Sequence, residues 1–476
     1  MHHYLNSRFA RRRQRHAATV VRALLQGALV GTLLLLFPVA RLAGQDVRRA
    51  FPVGDDSVLS SLVQRALATS PALLAAERRE AAARARAVSA GVMPDPMLMA
   101  GLVNVPIKNP SVSSEPMTMA MIGVGQTIPY PGKLSLRREV ASREVDAETA
   151  AREVARLEVE RSVKDHFYEI AYLDRAFEYV RQNRETLADV ARVAEARYGA
   201  GAGGQQDLLT ARVELTRVAE QASALLEQRR ARVALLNAAL DRPTDTPLEV
   251  ATVPQHIVRA AVRTDAREVR FAASTLGARA SGSPFRPLEE LQSLALERNP
   301  ALRQHLALVE AQAARVRLTR RDFKPDLDVS LQYGQRTGRE DMFSLQLSMP
   351  LRLHKRDREE QELAGAQAAL AAMQADHRVQ ENDLRAEVAR LESEAERSRT
   401  QLALYVASIL PQGRAALDVA LAGYRTGEGS LAIVLDAQST LFAYQTIQAR
   451  ALSDFAQSVA ALARVVGSTI FREVAP

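Results

Sequence analysis

The segment Leu134 to Tyr198 is 65 residues long and contains neither Gly nor Pro. As an α-helix it would be about 98 Å long, at roughly 1.5 Å per residue. No compact domain can bury a rod of that length, so it must pack lengthwise against other helices. In a second segment without Gly or Pro, Gln205 to Arg242, apolar and small residues follow the three-and-four spacing of a coiled-coil seam. The sequence therefore predicts long, paired helices.

Three blocks of sequence occur twice, in the same order. They are Leu59–Leu73 with Leu288–Leu302, Met121–Pro129 with Met342–Pro350, and Val193–Leu215 with Val419–Leu441. Shared Pro, Gly and Tyr positions favour a duplication over chance similarity between Ala-rich helices. The predicted organisation is a first repeat at 46–242, a connector at 243–287, a second repeat at 288–467 and a tail at 468–476.

The first 45 residues predict a signal peptide. Five Arg between Arg8 and Arg15 precede an apolar run from Ala23 to Ala40. An N-terminal membrane anchor is the alternative, because this run is long enough to cross a bilayer. Residues 1–45 carry seven Arg and no acidic residue, so the formal charge falls from +8 to +1 for the remainder. The high isoelectric point is therefore no evidence for nucleic-acid binding.

Each repeat also contains a predicted β-hairpin, at about 97–128 and 326–350. In the second hairpin, apolar residues alternate strictly with Asp, Ser and Gln, so each strand has one apolar and one polar face. A half-buried hairpin on a soluble sheet is one interpretation. The other is a membrane hairpin, since tilted membrane strands need only about 9–11 residues. Edge groups cannot stay unpaired in lipid and the smallest barrels have about eight strands, so a chain with four membrane strands must oligomerise.

The segment GQTIPYPGKL joins the first hairpin directly to the long helix. Pro129 and Pro131 prevent further sheet pairing, and Gly132 permits the change of direction. Lys133 either marks the membrane boundary or lies on a solvated helix face. The second repeat keeps only Pro350 of this set, so its joint is expected to turn differently.

From Leu59 to Gly467 the chain resembles the TolC family of outer-membrane efflux ducts. The resemblance rests on the starts ALATSPAL and ALERNPAL, the QTIPYPGK joint, and the turns YGAGAGGQQDLL and YRTGEGSLAIVLDA. It implies a mostly α fold with a membrane β-barrel part, in which a trimer forms a twelve-stranded barrel and a long α-helical barrel. It also implies residence in the outer membrane of a Gram-negative bacterium and an extension into the periplasm.

The resemblance further implies a passive exit duct. Its partners would be a periplasmic adaptor and an inner-membrane pump of the resistance-nodulation-division type. The PYPGKL joint is most similar to the branch that exports heavy-metal cations. The exit duct of a type I protein secretion system and a periplasmic coiled-coil structural protein are the alternatives.

Two Gly-containing turns reverse the long helices and are expected to form the periplasmic tips. The resemblance implies that the periplasmic adaptor docks at these turns, at Tyr198, Gly201, Gly203, Tyr424, Gly427 and Gly429. The resemblance places Asp436 in a ring of carboxylates that constricts the periplasmic mouth, and Asp207 is a second candidate. An acidic residue near the start of a helix is also favoured by the helix dipole alone.

No pattern in the sequence predicts an enzyme or a cofactor site. We find no nucleophile–base arrangement, phosphate-binding loop or catalytic carboxylate pair, and the histidines outside the leader show no clustered spacing that predicts a metal site. Gly365, Pro411 and Gly413 are expected to break the second long helix.

Overall fold

The computed structural model describes residues 56–108, 110–111, 115–262, 283–351 and 355–472. The predicted signal peptide lies outside the described residues.

Both repeats follow the same order of two short helices, two strands, a long helix and a return helix. The first repeat comprises α1 (Asp56–Thr69), α2 (Pro71–Ala90), β1 (Met97–Val103), β2 (Met119–Ile128), α3 (Lys133–Gly199) and α4 (Gln205–Ala239), and the connector contains α5 (Gln255–Val262). The second comprises α6 (Leu288–Arg298), α7 (Pro300–Asp322), β3 (Leu327–Gln335), β4 (Met342–Ser348), α8 (Glu359–Leu404), α9 (Leu410–Thr426) and α10 (Leu431–Val466).

The early Pro of each repeat begins a new helix. Pro71 and Pro300 occupy the first positions of α2 and α7, where an N–H group has no helical partner to lose. The preceding residues, Ser70 and Asn299, cap these helices by accepting hydrogen bonds from free backbone N–H groups. The short helices thus pack beside the long ones instead of extending them.

The 67-residue helix α3 organises the packing. It contacts its return helix α4 and also α2, α7 and α10, whereas α8 contacts α6, α7 and α10. Helix α7 therefore lies against the long helices of both repeats. The largest apolar core surrounds the middle of α3 and the ends of α4 and α10, and includes Ile170, Leu236, Phe455 and Leu462. A smaller apolar cluster lies towards the helical turns.

The expectation that Gly365, Pro411 and Gly413 break the second long helix is correct in part. Helix α8 continues through Gly365, and α9 continues through Gly413. The regular α-helix is interrupted by a π-helical segment, Tyr405–Ile409, just before Pro411. Proline lacks an N–H donor and clashes with the preceding turn, and the wider π-helical turn accommodates this defect. Gly365 is tolerated because an isolated glycine costs only about 1 kcal/mol in a helix.

The four strands form one antiparallel sheet in the order β1-β2-β3-β4. The hairpins of the two repeats are thus joined through β2 and β3, and β1 and β4 are the edges. The register aligns Ile122 with Tyr333 and Tyr333 with Phe343 on one apolar face. This face is open to the surroundings, with Phe343 67% and Leu98 75% exposed. Such a broad apolar surface needs a nonaqueous environment or a partner.

Among the described residues, no single helix is long and apolar enough to cross a membrane. The bent pair α1 and α2, whose axes differ by 43°, passes the same test of length and composition when taken together.

The close approach of β2 to β3 depends on Gly123. A Cβ atom at this position would lie 2.7 Å from the backbone oxygen of Leu331. We expect Gly123→Ala to push the strands apart and to lower the free energy of unfolding by about 1–3 kcal/mol, the usual range for overpacking. Guanidinium unfolding in detergent, followed by circular dichroism, measures the change.

The matched control is Gly101→Ala in β1, where an added Cβ would meet no atom within 4 Å. Equal unfolding free energies for the two variants would contradict the assigned β2–β3 register.

Candidate functional site

The first feature with functional potential is the joint between the sheet and α3. Only four residues, 129–132, connect β2 to α3. Pro129 and Pro131 lie in this connection, and Gly132 precedes the helix with φ of +94°, a conformation that favours glycine. The backbone N–H of Lys133 donates to the carbonyl of Tyr130 at 3.1 Å, which closes the turn.

The side chain of Lys133 does not lie on a solvated helix face, because it is 2% exposed. Its Nζ donates to Oδ1 of Asp326 at 2.7 Å and lies 3.4 Å from Oδ1 of Asp322. The same Asp326 oxygen accepts a hydrogen bond from the backbone N–H of Tyr130 at 2.8 Å. The joint of the first repeat is therefore fastened to the segment that precedes β3 in the second.

Asp326 remains charged in this environment. Burial opposes its ionisation, but hydrogen bonds from Lys133 and the Tyr130 N–H outweigh that effect, and the positive charges of Lys133 and Arg137 act in the same direction. The pKa of Asp326 consequently lies below its usual value. The ion pair is thus part of the folded structure at neutral pH.

The joint of the second repeat is longer. Ten residues, 349–358, connect β4 to α8, and Pro350 lies at the start of this connection. The greater length of this connection agrees with the presence of a single Pro and the absence of a Gly next to α8.

The two helical turns have the same hydrogen-bonding pattern. Gly201 has φ of +71° and Gly427 has φ of +88°, and each N–H donates to the carbonyl of the Tyr three residues earlier. Gly203 and Gly429 follow in the same turns, and a Cβ atom at either would lie 3.1 Å from atoms of the preceding helix. The duplicated glycines therefore allow the chain to reverse in both repeats.

The equivalent tyrosines of the two turns have different surroundings. Tyr198 is 46% exposed, whereas Tyr424 is 2% exposed. The guanidinium of Arg197 lies 4.8 Å from the centre of the Tyr424 ring and donates to the Tyr424 carbonyl. The Tyr424 hydroxyl donates to Oδ2 of Asp207 at 3.3 Å. These three residues link the turn of the second repeat to that of the first.

Burial raises the pKa of Tyr424, and the charge of Asp207 and its hydrogen bond with the hydroxyl act in the same direction, while Arg197 opposes them. The hydroxyl therefore stays protonated and can donate a hydrogen bond to Asp207. Arg197 was not among the residues that sequence reasoning selected, because its equivalent in the second repeat is Gly423.

Asp207 and Asp436 both border a groove of about 560 Å³ between α4 and α10. Asp436 is exposed, whereas Asp207 is half-buried beside Tyr424. Glu214 and Arg217 border the same groove. The two predicted constriction residues thus border one groove near the turns, and Asp207 is the one that contacts the other repeat.

Buried hydrogen bonds join α3 to α10 beside this groove and further from the turns. Gln438 donates to Asn183 at 2.6 Å, the Tyr179 hydroxyl donates to Gln448 at 3.2 Å, and Ser453 donates to a carbonyl of α3 at 2.8 Å. An unpaired polar group in such a place is costly, so these bonds favour one register of the two helices.

Within the described part of the chain, no three His, Asp or Glu side chains form a cluster suited to a metal ion. The sequence spacing of the histidines indicates no cluster, but the fold brings His305 and His377 into contact. They come from different helices and are 72 residues apart, so sequence spacing could not reveal them.

Comparisons with known proteins agree with this geometry. The family model for outer membrane efflux proteins matches residues 62–241 and 291–468, the two repeats. The outer-membrane channel OprN is 19% identical, with a TM-score of 0.70 over 87% of this chain and 90% of OprN. VceC of Vibrio cholerae is also 19% identical, with a TM-score of 0.70 over 86% of this chain and 96% of VceC. CmeC of Campylobacter jejuni is 15% identical, with a TM-score of 0.69 over 88% of this chain and 87% of CmeC. No match was found among curated protein sequences.

The Lys133 ion pair provides a test of the joint. We expect Lys133→Met to lower the free energy of unfolding by about 1.5–3 kcal/mol, because it removes charge-assisted hydrogen bonds and leaves two carboxylates without their cation. Urea unfolding in detergent measures the difference. The control is Arg317→Gln, which removes an exposed ion pair with Glu139 and should change the free energy by less than about 1 kcal/mol.

The effect of Lys133→Met should depend on pH. The pKa of Asp326 is lowered by folding, so its stabilising contribution is complete above the usual pKa of about 3.9 and is lost as the pH falls through the folded-state value. The difference between wild type and variant should therefore shrink below about pH 4. A difference that stays constant down to pH 2 would show that the lost stability does not come from this ion pair.

Proposed function

Because the chain belongs to the outer membrane efflux protein family, we propose that it is the exit duct of a tripartite efflux system. It is a channel protein of the Gram-negative outer membrane and not an enzyme, and its fold is the mostly helical fold of TolC-like channels. The proposal adds a homotrimeric assembly, a periplasmic adaptor and an inner-membrane pump of the resistance-nodulation-division type. The duct itself is passive, since energy is supplied by the pump.

The observation that carries this proposal is the pairing of an incomplete, apolar sheet with helices of about 100 Å. Four strands with two free edges require further strands to close a barrel. Three copies supply twelve strands, and their long helices then continue the barrel into the periplasm. Outer-membrane lipid would cover the apolar face that includes Tyr333 and Phe343.

The proposed cargo includes heavy-metal cations, because the PYPGKL joint at 129–134 resembles that of the branch that exports such cations.

The tips are the proposed docking site for the adaptor. Their glycine turns are short, and nearby apolar side chains such as Leu209 and Ile433 are exposed. Asp436 would contribute to a ring of carboxylates at the mouth in the trimer.

We further propose that the contact between Tyr424 and Asp207 holds the mouth closed. The hydroxyl of Tyr424 connects the helical hairpin of the second repeat to the first turn of α4. Arg197 reinforces the contact by packing on the ring and binding the same residue's carbonyl. Movement of one hairpin away from the other must break these bonds.

Expression in a Gram-negative host tests the main proposal. We expect the protein in the outer-membrane fraction as an oligomer that resists SDS and becomes a 52.1 kDa or smaller chain on heating. The purified protein should form pores in planar bilayers. A water-soluble periplasmic monomer would overturn the proposal.

Deletion of the gene in its own host tests the proposed cargo and should increase sensitivity to metal cations. Unchanged metal tolerance together with lost secretion of a polypeptide would instead favour a type I secretion duct.

Tyr424→Phe tests the closed mouth, because it keeps the ring and removes the hydroxyl. We expect the closed-to-open ratio to fall about tenfold, since a hydrogen bond to a charged group contributes about 1.5 kcal/mol. Single-channel recordings should show a larger open fraction. Tyr198→Phe is the matched control, because this equivalent tyrosine is exposed. An equal response of both variants would contradict the role of the Tyr424 contact.

A further inference from the structure

Two histidines from different helices meet where α7 packs on α8. The Nδ1 atoms of His305 and His377 are 3.3 Å apart, the ring centres are 5.4 Å apart, and the ring planes differ by 10°. Because the nitrogens are much closer together than the ring centres, the rings meet edge to edge and the two Nδ1 atoms face each other. Neither helix has another described histidine.

Two facing nitrogens can share a proton or a cation. In a tetrahedral site with Zn–N bonds of about 2.0–2.1 Å, two imidazole nitrogens are about 3.3–3.4 Å apart. The observed separation has this value, so a cation beside the pair requires only that the rings turn until their lone pairs converge. We propose that His305 and His377 form a binding site for a transition-metal cation of the Zn²⁺ type.

The surroundings of His377 favour this role. Its Nε2 lies 3.6 Å from Oε1 of Glu381, one helical turn further along α8. Histidines that bind metals usually present their other nitrogen to a carboxylate, which orients the ring and increases its basicity. The His377 side chain is only 16% exposed, so this carboxylate acts on it in a partly desolvated position.

A cation can reach His305 from solvent through a neighbouring cleft. His305 borders this cleft of about 500 Å³, which also contains Asp383 and Glu387. Because no third His, Asp or Glu side chain in the described residues completes the set, water from the cleft would fill the remaining positions of a bound cation.

A cation at this site would cross-link two helices of the second repeat. Helix α7 also packs against α3. The bound cation would therefore strengthen the contact of α8 with the helix that connects it to the first repeat. This role is independent of which substrate passes through the channel.

The test uses the purified full-length protein without a polyhistidine tag. Titration calorimetry with ZnCl₂ should show one site per chain that is lost in His305→Asn and His377→Asn. Glu381→Gln should weaken the site roughly 10- to 100-fold, as for other outer carboxylates. His166→Asn is the matched control, since His166 is a half-buried histidine outside the pair, and it should bind as wild type does.

Electron paramagnetic resonance with Cu²⁺ gives a second measurement that requires only the wild-type protein. It should report two coordinating imidazole nitrogens per bound ion. The proposal would be overturned if the double His variant bound Zn²⁺ as tightly as wild type, or if the Cu²⁺ spectrum showed fewer than two nitrogens. If a variant fails to fold, the Cu²⁺ spectrum of the wild-type protein decides between the two outcomes.

Discussion

The backbone groups at the two edges of the sheet determine most of this architecture. Among the described residues, β2 and β3 are paired on both sides, whereas β1 and β4 each have one unpaired edge. In water such an edge can be hydrated, but in hydrocarbon each unpaired N–H or C=O group costs several kcal/mol. The apolar face of the same sheet requires a nonaqueous environment. A single copy cannot meet both requirements, and closure with further copies meets them together.

At the joint, the chain passes from this sheet to the long helix α3 within a few residues. Four residues suffice in the first repeat because two prolines end the pairing and Gly132 adopts a positive φ. Lys133 then fixes the start of α3 to Asp326, beside the start of β3. Since β2 and β3 are neighbours, the ion pair and the sheet enforce the same relative position of the two repeats. The longer second joint has no equivalent requirement, because β4 is an edge strand.

The sequence was sufficient to predict the elements that depend on local patterns. The long helix, the alternating strands and the duplicated glycine turns were predictable from periodicity and from residues with special backbone preferences. The roles of Arg197 and Tyr424 were not, because the two repeats use equivalent positions differently and the sequence does not indicate which tyrosine is buried. The contact of His305 with His377 depends on how α7 packs on α8, which no spacing within one helix can reveal. The π-helical segment was likewise indicated only as a break near Pro411.

The distribution of polar contacts between the repeats indicates where the helical region can open. Along most of the interface between α3 and α10, buried bonds such as those of Gln438 and Gln448 fix the register, and separation would leave their partners unpaired in an apolar environment. The groove that contains Asp207 and Asp436, and that Gln438 also borders, is open to water, which can replace a broken hydrogen bond. The π-helical segment and Pro411 also weaken the regular backbone bonding on the side of α9. In the proposed duct, separation of the two helical hairpins would therefore cost least near the turns, at the end that faces the proposed adaptor.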